Sequence, residues 1–285
     1  MNKQKKRNRR NTLLSRRSRT GTFLFLPIFL GTFLFFALPF GMVMSYSCGI
    51  YSVGMGGGQS RFVGLENYRK VLGSEAFRLA AGNTVRFLVI GVPLLLVTAL
   101  CVALLLRQAF LGRKLCSNTI LLPLVLPIAS IVMVVEKLVP AQALESPQAF
   151  WVLLGLYLWK NCGYITVLLL AGLSMIPQGL YDTAAIEGAD GFQKLWYVTL
   201  PLLKPSLAFG AVIGIINSFK SYREAFLLGG RHPHESIYML QHFLNNNFEN
   251  LNYARLAVAS VMTALPIILA TLAVLMLGRK GHKNL

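Results

Sequence analysis

Eight polar or aromatic residues interrupt two long apolar runs. Trp159, Lys160 and Asn161 lie in one, and Asn217, Lys220, Tyr222, Arg223 and Glu224 lie in the other. Ionisable groups inside such runs are costly and by default mark a pathway. Asn217, Lys220 and Glu224 share one helix face by their i, i+3 and i+4 spacing. An aromatic ring beside hydrogen-bonding groups suits a sugar. Two lysines and an arginine suit an anionic group. The competing reading is that the basic side chains snorkel to a membrane surface and that Lys220 and Glu224 form a local helix pair. The residues alone leave both open.

Other chemistries find no support. No paired carboxylates, HExxH or Ser/His arrangement points to a membrane-embedded enzyme. No GxxxxGK[ST] is present to cradle a nucleotide phosphate, so any driving energy comes from a partner or an ion gradient. Cys48, Cys101, Cys116 and Cys162 have no CxxC spacing and read as small apolar packing residues. His232, His234 and His242 read as surface residues, and Glu136 and Lys137 as interface anchors; no metal site is expected. The net charge of +18 raises nucleic-acid binding, but the placement of the charge argues against it, because nine of the 28 basic residues fall between Lys3 and Arg19.

The elements that hold these residues are membrane spans. Hydrophobic residues make up 55% of the chain and charged residues 13%, where a soluble domain carries roughly 25% charged. A helix needs about 20 apolar residues to cross a bilayer. Six stretches qualify: Phe23 to Tyr46, Thr84 to Leu106, Thr119 to Leu138, Phe150 to Leu173, Ser206 to Leu228 and Leu256 to Leu277. The first is too long for a signal-peptide core and no A-x-A site follows, so it reads as an uncleaved anchor. With the N-terminus inside, cytoplasmic segments hold 17 Lys and Arg and outer loops hold six. Basic residues are retained on the cytoplasmic side, so both termini are expected in the cytoplasm. The chain then divides into a basic N-terminus (1–22), a first transmembrane helix (23–47) and an extracytoplasmic loop (48–81). A five-helix transmembrane domain (82–277) and a cytoplasmic tail (278–285) follow. The outer loop holds a flexible turn, Gly54 to Gly58, and a short surface helix from Leu65 to Leu72.

The longest cytoplasmic connection, 174–205, parses as helix, turn, helix. Pro177 suits a first helical position. Gly188 can take the left-handed conformation that ends a helix. Asp190 is an N-cap with Gln193 three residues on, as in a capping box. The second helix is expected to stop near Thr199, with Pro201 pushing Leu200 to an extended conformation. Ala184, Ala185, Gly188 and Ala189 are small, and Asp182, Glu187 and Asp190 add negative charge. Such a helix suits docking in a partner's groove. Packing beneath its own bundle is the other possibility, and local rules do not decide.

This loop resembles the EAA motif of ABC importer permeases, E-A-A-x(3)-G-x(9)-I-x-L-P. The matching residues are Asp182-Thr183-Ala184, Gly188, Val198 and Leu200-Pro201, with every spacing kept and three mild substitutions. Ala171-Gly172-Leu173, Ile176-Pro177 and the run Leu200 to Pro205 resemble the sugar-type branch (maltose, glycerol-phosphate and multiple-sugar permeases), as do Asn67-Tyr68 and Asn83-Thr84. The resemblance implies an all-α bundle of six transmembrane helices, the type I importer architecture, in the inner membrane. It implies a transport subunit with no catalytic role and no cofactor of its own. ATP and Mg would bind a pair of partner ATPase subunits, which dock on the loop carrying Asp182, Thr183, Ala184, Ala185, Gly188, Leu200 and Pro201. A second, homologous permease and an extracytoplasmic solute-binding protein complete the assembly. Trp159, Lys160, Asn161, Asn217, Lys220, Tyr222, Arg223 and Glu224 are its candidate translocation pathway, for a carbohydrate or related polar solute. A secondary transporter coupled through Lys220 and Glu224 is the alternative, weakened by the absence of visible inverted repeats.

Overall fold

Long apolar runs with few breakers can satisfy their backbone groups only within themselves, and helices dominate the fold accordingly. In a computed structural model, residues 25–52, 59–108 and 111–280 are described. The basic N-terminus 1–22, the Gly54 to Gly58 turn and the end of the cytoplasmic tail lie outside those residues.

The elements run α1 (Phe25–Cys48), β1 (Gly49–Ser52), β2 (Gln59–Phe62), α2 (Glu66–Leu72) and α3 (Glu75–Arg107). Then come α4 (Arg113–Thr119), α5 (Leu122–Val125), α6 (Ile128–Leu138), α7 (Ala141–Leu144), α8 (Ala149–Ser174) and α9 (Gln178–Ile186). A single turn, α10 (Gly191–Gln193), leads through a π turn (Lys194–Thr199) into α11 (Leu200–Lys220) and α12 (Tyr222–Gly229). A 3-10 turn (Glu235–Ile237), α13 (Leu240–Glu249) and α14 (Tyr253–Lys280) close the chain. Five helical stretches are long and apolar enough to span a membrane: Phe25–Cys48, Glu75–Arg107, Ala149–Ser174, Gly191–Gly229 and Tyr253–Met276. A bent pair raises the number to six.

That bent pair corrects the third span. In place of one helix from Thr119 to Leu138, Arg113–Val125 and Ile128–Leu138 meet at 99°. Pro127 explains the break: it has no N–H to give, and it drives Leu126 to φ −72°, ψ 138°. The second span also starts earlier than Thr84, because Glu75 to Asn83 continue the helix, with Phe77 and Ala80 buried and Glu75 and Arg78 exposed. An antiparallel hairpin, pairing Gly49 with Phe62 and Ser52 with Gln59, is a small exception to the all-α expectation.

Contacts divide the chain into two units, Met1–Arg69 with Tyr253–Val261 and Lys70–Asn252 with Met262–Leu285. In the first, buried Asn67 donates to the Ser47 and Gly49 carbonyls at 3.1 and 3.0 Å. Tyr68 donates to Ser47 Oγ at 3.0 Å. The end of α1 is thereby pinned to α2. In the second, α3 and α8 form the core, with Phe87, Leu95 and Ala99 packed among Phe150, Tyr157 and Ile165. Lipid is as apolar as these side chains, so close fit rather than water exclusion holds such helices together. At Gly163 the fit is absolute: a Cβ there would collide with the Ile120 carbonyl oxygen.

Candidate functional site

The loop after α8 folds from its own caps. Pro177 is the N-cap of α9, one place before the expected first helical position. At the other end Gly188 takes φ +84°. Its N–H donates to the Ala185 carbonyl at 3.1 Å, and Ala189 N–H donates to the Ala184 carbonyl at 2.9 Å. These two bonds are a Schellman closure, which uses up the last helical carbonyls. The capping box also forms: Gln193 N–H donates to Asp190 Oδ1 at 2.7 Å, and Asp190 N–H to Gln193 Oε1 at 2.9 Å.

Closed at its C-terminal end, α9 lies on the surface of the bundle. None of its residues is buried. Asp182, Thr183 and Ala185 are exposed, and Ala184 is half-buried. Thr183 donates back to the Gly179 carbonyl at 2.9 Å, so the residue that departs from the motif spends its hydroxyl on its own helix. Tyr181 ties α9 down: its phenol lies 3.1 Å from Thr199 Oγ1, and Arg107 stacks over its ring at 4.4 Å.

The expected stop at Thr199 does not occur. Leu200 is helical at φ −61°, ψ −43°, and Gly191–Gly229 runs as one candidate span through Leu200 and Pro201. The π turn just before it explains the continuity. Its wider i→i+5 bonding, including Leu200 N–H to the Leu195 carbonyl, makes room for a proline ring that would clash in a regular α-turn.

The polar residues of the two inner runs pair across helices rather than along them. Lys160 Nζ lies 2.6 Å from Glu224 Oε1, with the Glu224 side chain 3% exposed. Asn217 donates to Asn161 Oδ1 at 2.8 Å, and Asn161 donates to the Tyr157 carbonyl at 2.8 Å. Tyr157, which the sequence did not single out, donates to the Gly214 carbonyl at 2.9 Å. The local Lys220–Glu224 pair of the competing reading does not form; Glu224 pairs with Lys160. The helix breaks at Ser221, which ends the common face of Asn217, Lys220 and Glu224. Lys220 and Arg223 are exposed, while Tyr222 packs edge-on against His242 at 4.7 Å. Trp159 forms a wall of two cavities. One, of about 630 Å³, is lined by Ile131, Val135, Trp151 and Gly155; the other, of about 680 Å³, by Thr98, Cys116, Pro123 and Cys162.

His242 is not a surface residue; it is 1% exposed. Its Nδ1 accepts from Met239 N–H at 3.1 Å, which leaves the proton on Nε2. Burial, and then His232, hold its pKa down at about 4. Asn83 and Thr84 fix this segment from α3: Asn83 donates to the Glu235 and Tyr238 carbonyls, and Thr84 Oγ1 accepts from Leu240 N–H at 3.0 Å. Among the described residues no group of three His, Cys, Asp or Glu side chains could hold a metal.

The profile of a family described as binding-protein-dependent transport system inner membrane component matches residues 96–281. The trehalose/maltose transport system permease protein MalF of Thermococcus litoralis is 30% identical, over 76% of this chain and 80% of that protein. The sulfoquinovosyl glycerol transport system permease protein SmoG of Agrobacterium fabrum is 29% identical, over 72% and 73%. In fold, a bacterial ABC transporter involved in the import of the acidic polysaccharide alginate supplies a chain with TM-score 0.78 and 19% identity. That match covers 95% of this chain and 99% of the other.

Proposed function

The chain belongs to the family of binding-protein-dependent transport system inner membrane components, and we propose that it is the permease subunit that carries a carbohydrate inward for an ATP-driven importer. It works as a transport subunit. Hydrolysis is assigned to a pair of ATPase subunits that grip α9 from the cytoplasm, with both termini on that side. A second permease of the same family supplies the other half of the pathway, and an extracytoplasmic binding protein delivers the solute. The observation that carries this reading is α9 itself: a capped helix with no buried residue, shaped to be covered by another protein.

The solute class rests on the relatives, whose names give trehalose or maltose and sulfoquinovosyl glycerol, and on residues of α8 and α11. Trp159 offers a ring for a sugar face, and the Asn161–Asn217 amides offer donors and acceptors. Lys160, Lys220, Tyr222, Arg223 and Glu224 complete the proposed pathway.

The test is ATP-dependent uptake of labelled maltose-type oligosaccharides by membrane vesicles holding the whole importer. Ala184→Trp and Gly188→Val should abolish uptake while the chain inserts at normal levels. Undiminished uptake by both variants, or uptake by the lone chain driven by an ion gradient without ATP, would refute the reading.

A further inference from the structure

Two cations at the break between α11 and α12 are left without a counter-charge. Lys220 ends α11, and Arg223 lies in the first turn of α12. Both are exposed, and among the described residues neither pairs with a carboxylate. Glu224 beside them gives one oxygen to Lys160 and is 3% exposed. Arg223 also runs against the helix dipole, which disfavours a cation in a first turn. Free cations are ordinary where their side chains snorkel to a membrane surface. Depth excludes that for Lys220.

The Asn217–Asn161 bond at 2.8 Å holds those two residues at one level. Asn161 lies 12 residues from the first residue of α8 and 13 from the last, the middle of a helix about 39 Å long. On the other arm, Lys204 lies 13 residues before Asn217, about 20 Å away, and so clears a half-core of about 15 Å. Asn217 therefore lies near the midplane. Lys220 is about 4.5 Å further along, which leaves its Cα about 10 Å short of the far edge of the hydrocarbon. A lysine side chain reaches about 6 Å. Its ammonium stays at core depth, where a free charge faces a water-filled cavity rather than lipid. Arg223 follows three residues on, in the same span.

We propose that Lys220 and Arg223 form an anion subsite in the pathway, and that the carbohydrate carried bears an acidic group. The inference rests on the reading of the chain as a carbohydrate permease and narrows its solute. Lys160 is spent on Glu224, which leaves these two cations for the solute. A carboxylate, sulfonate or phosphate accepts from both, and such charge-assisted bonds are roughly twice as strong as neutral ones.

The test is uptake by proteoliposomes holding the whole importer and its binding protein, with labelled digalacturonate, phosphorylated maltose and maltose as probes. At least one acidic probe should enter faster than maltose. In the Lys220→Gln, Arg223→Gln variant the ratio of acidic to neutral uptake should fall about tenfold or more, and Lys220→Arg with Arg223→Lys should keep it. The binding protein is the same throughout, so a change in the ratio belongs to the permease. An unchanged ratio would overturn the inference. Uptake of maltose and of neither acidic probe would overturn it and leave the permease reading standing; ATP-dependent uptake of none of the probes would overturn both. A second measurement reads what Lys220 faces. With Cys48, Cys101, Cys116 and Cys162 replaced by Ser, Lys220→Cys in the assembled importer should react with a charged, membrane-impermeant thiosulfonate. No reaction, the result for a side chain against lipid or against a carboxylate of the second permease, would also overturn the inference.

Discussion

Gly188 offers the sharpest test, because its role is free of packing. A Cβ added there meets nothing within 4 Å, so a substitution changes only the backbone preference. Holding an L-residue in the left-handed region costs roughly 1–2 kcal/mol. The cost falls on two bonds, Gly188 N–H to Ala185 and Ala189 N–H to Ala184, at 3.1 and 2.9 Å. α9 has nine residues, too few to stay helical alone, so losing its closure frays the last turn, where Ala184 and Ala185 sit. An effect of that size is a factor of about 5–30 in the folded fraction. The assay is the affinity of the purified ATPase subunit for detergent-solubilised permease, with binding-protein-stimulated ATP hydrolysis as a second readout. Gly188→Ala should weaken binding about 5–30-fold. Gly188→Asn should lose less, since Asn tolerates this conformation. Gly188→Val should lose most, being β-branched. If Ala binds as tightly as Gly, or Asn and Val are equally harmful, the backbone argument is wrong.

Two further outcomes follow from the buried polar groups. Lys160→Met leaves the Glu224 carboxylate unpaired at 3% exposure, and should cost about 3–5 kcal/mol. Thermal melting of the solubilised protein should show the loss and its recovery in the Lys160→Met, Glu224→Leu double variant; no recovery would mean the pair is not the source. His242 is held neutral in the folded chain, with its pKa at about 4 against an ordinary 6.5. The unfolded segment therefore binds the proton first, and stability is full above pH 6.5 and falls as the pH drops toward 4, by up to about 3 kcal/mol. Protection factors for hydrogen exchange across α13, taken relative to the intrinsic exchange rate at each pH, should fall over that window and stay level in His242→Phe; unchanged protection factors from pH 7 to pH 4.5 would refute it.

Local features of the site were legible in the sequence. Gly188, Asp190 and Gln193 act on neighbours within a few residues, and a cap needs nothing else. What failed was decided at a distance. Lys220 and Glu224 have the right spacing for a helix pair, but the helix breaks at Ser221 and Lys160 of α8 takes the carboxylate. His242 lies in a polar stretch, and only the packing of Tyr222 and Tyr238 around it makes it internal. Pro201 and Pro127 show the same limit from two sides. Both obey one rule in sequence, yet Leu126 is extended and Leu200 is helical. The difference is the π turn before Pro201, which propensity does not announce. The Asn67-Tyr68 and Asn83-Thr84 pairs were legible only as a likeness; their work is to pin α1 to α2 and the Glu235 to Leu240 segment to α3.

The long-range bonds and the loop belong to one mechanical circuit. α8 leads through Pro177 into α9, and α9 leads through the capping box into α11, which holds Asn217, and on past Ser221 into α12, which holds Glu224. Near Thr199 the two arms are joined: Thr199 Oγ1 donates to the Lys194 carbonyl at 3.2 Å, which leaves the Tyr181 phenol to donate to Thr199. Roughly 20 Å along α8 they are joined again, by Asn217 to Asn161 and Lys160 to Glu224. A displacement of α9 that moves both arms together leaves the upper bonds intact. One that splays them must part an ammonium and a carboxylate at 2.6 Å and strand a buried charge. Removing the pair therefore separates two kinds of motion. If α9 drives the arms as a unit, the Lys160→Met, Glu224→Leu variant keeps ATP hydrolysis coupled to uptake. If it drives them apart, the variant opens more easily and hydrolyses ATP without its binding protein.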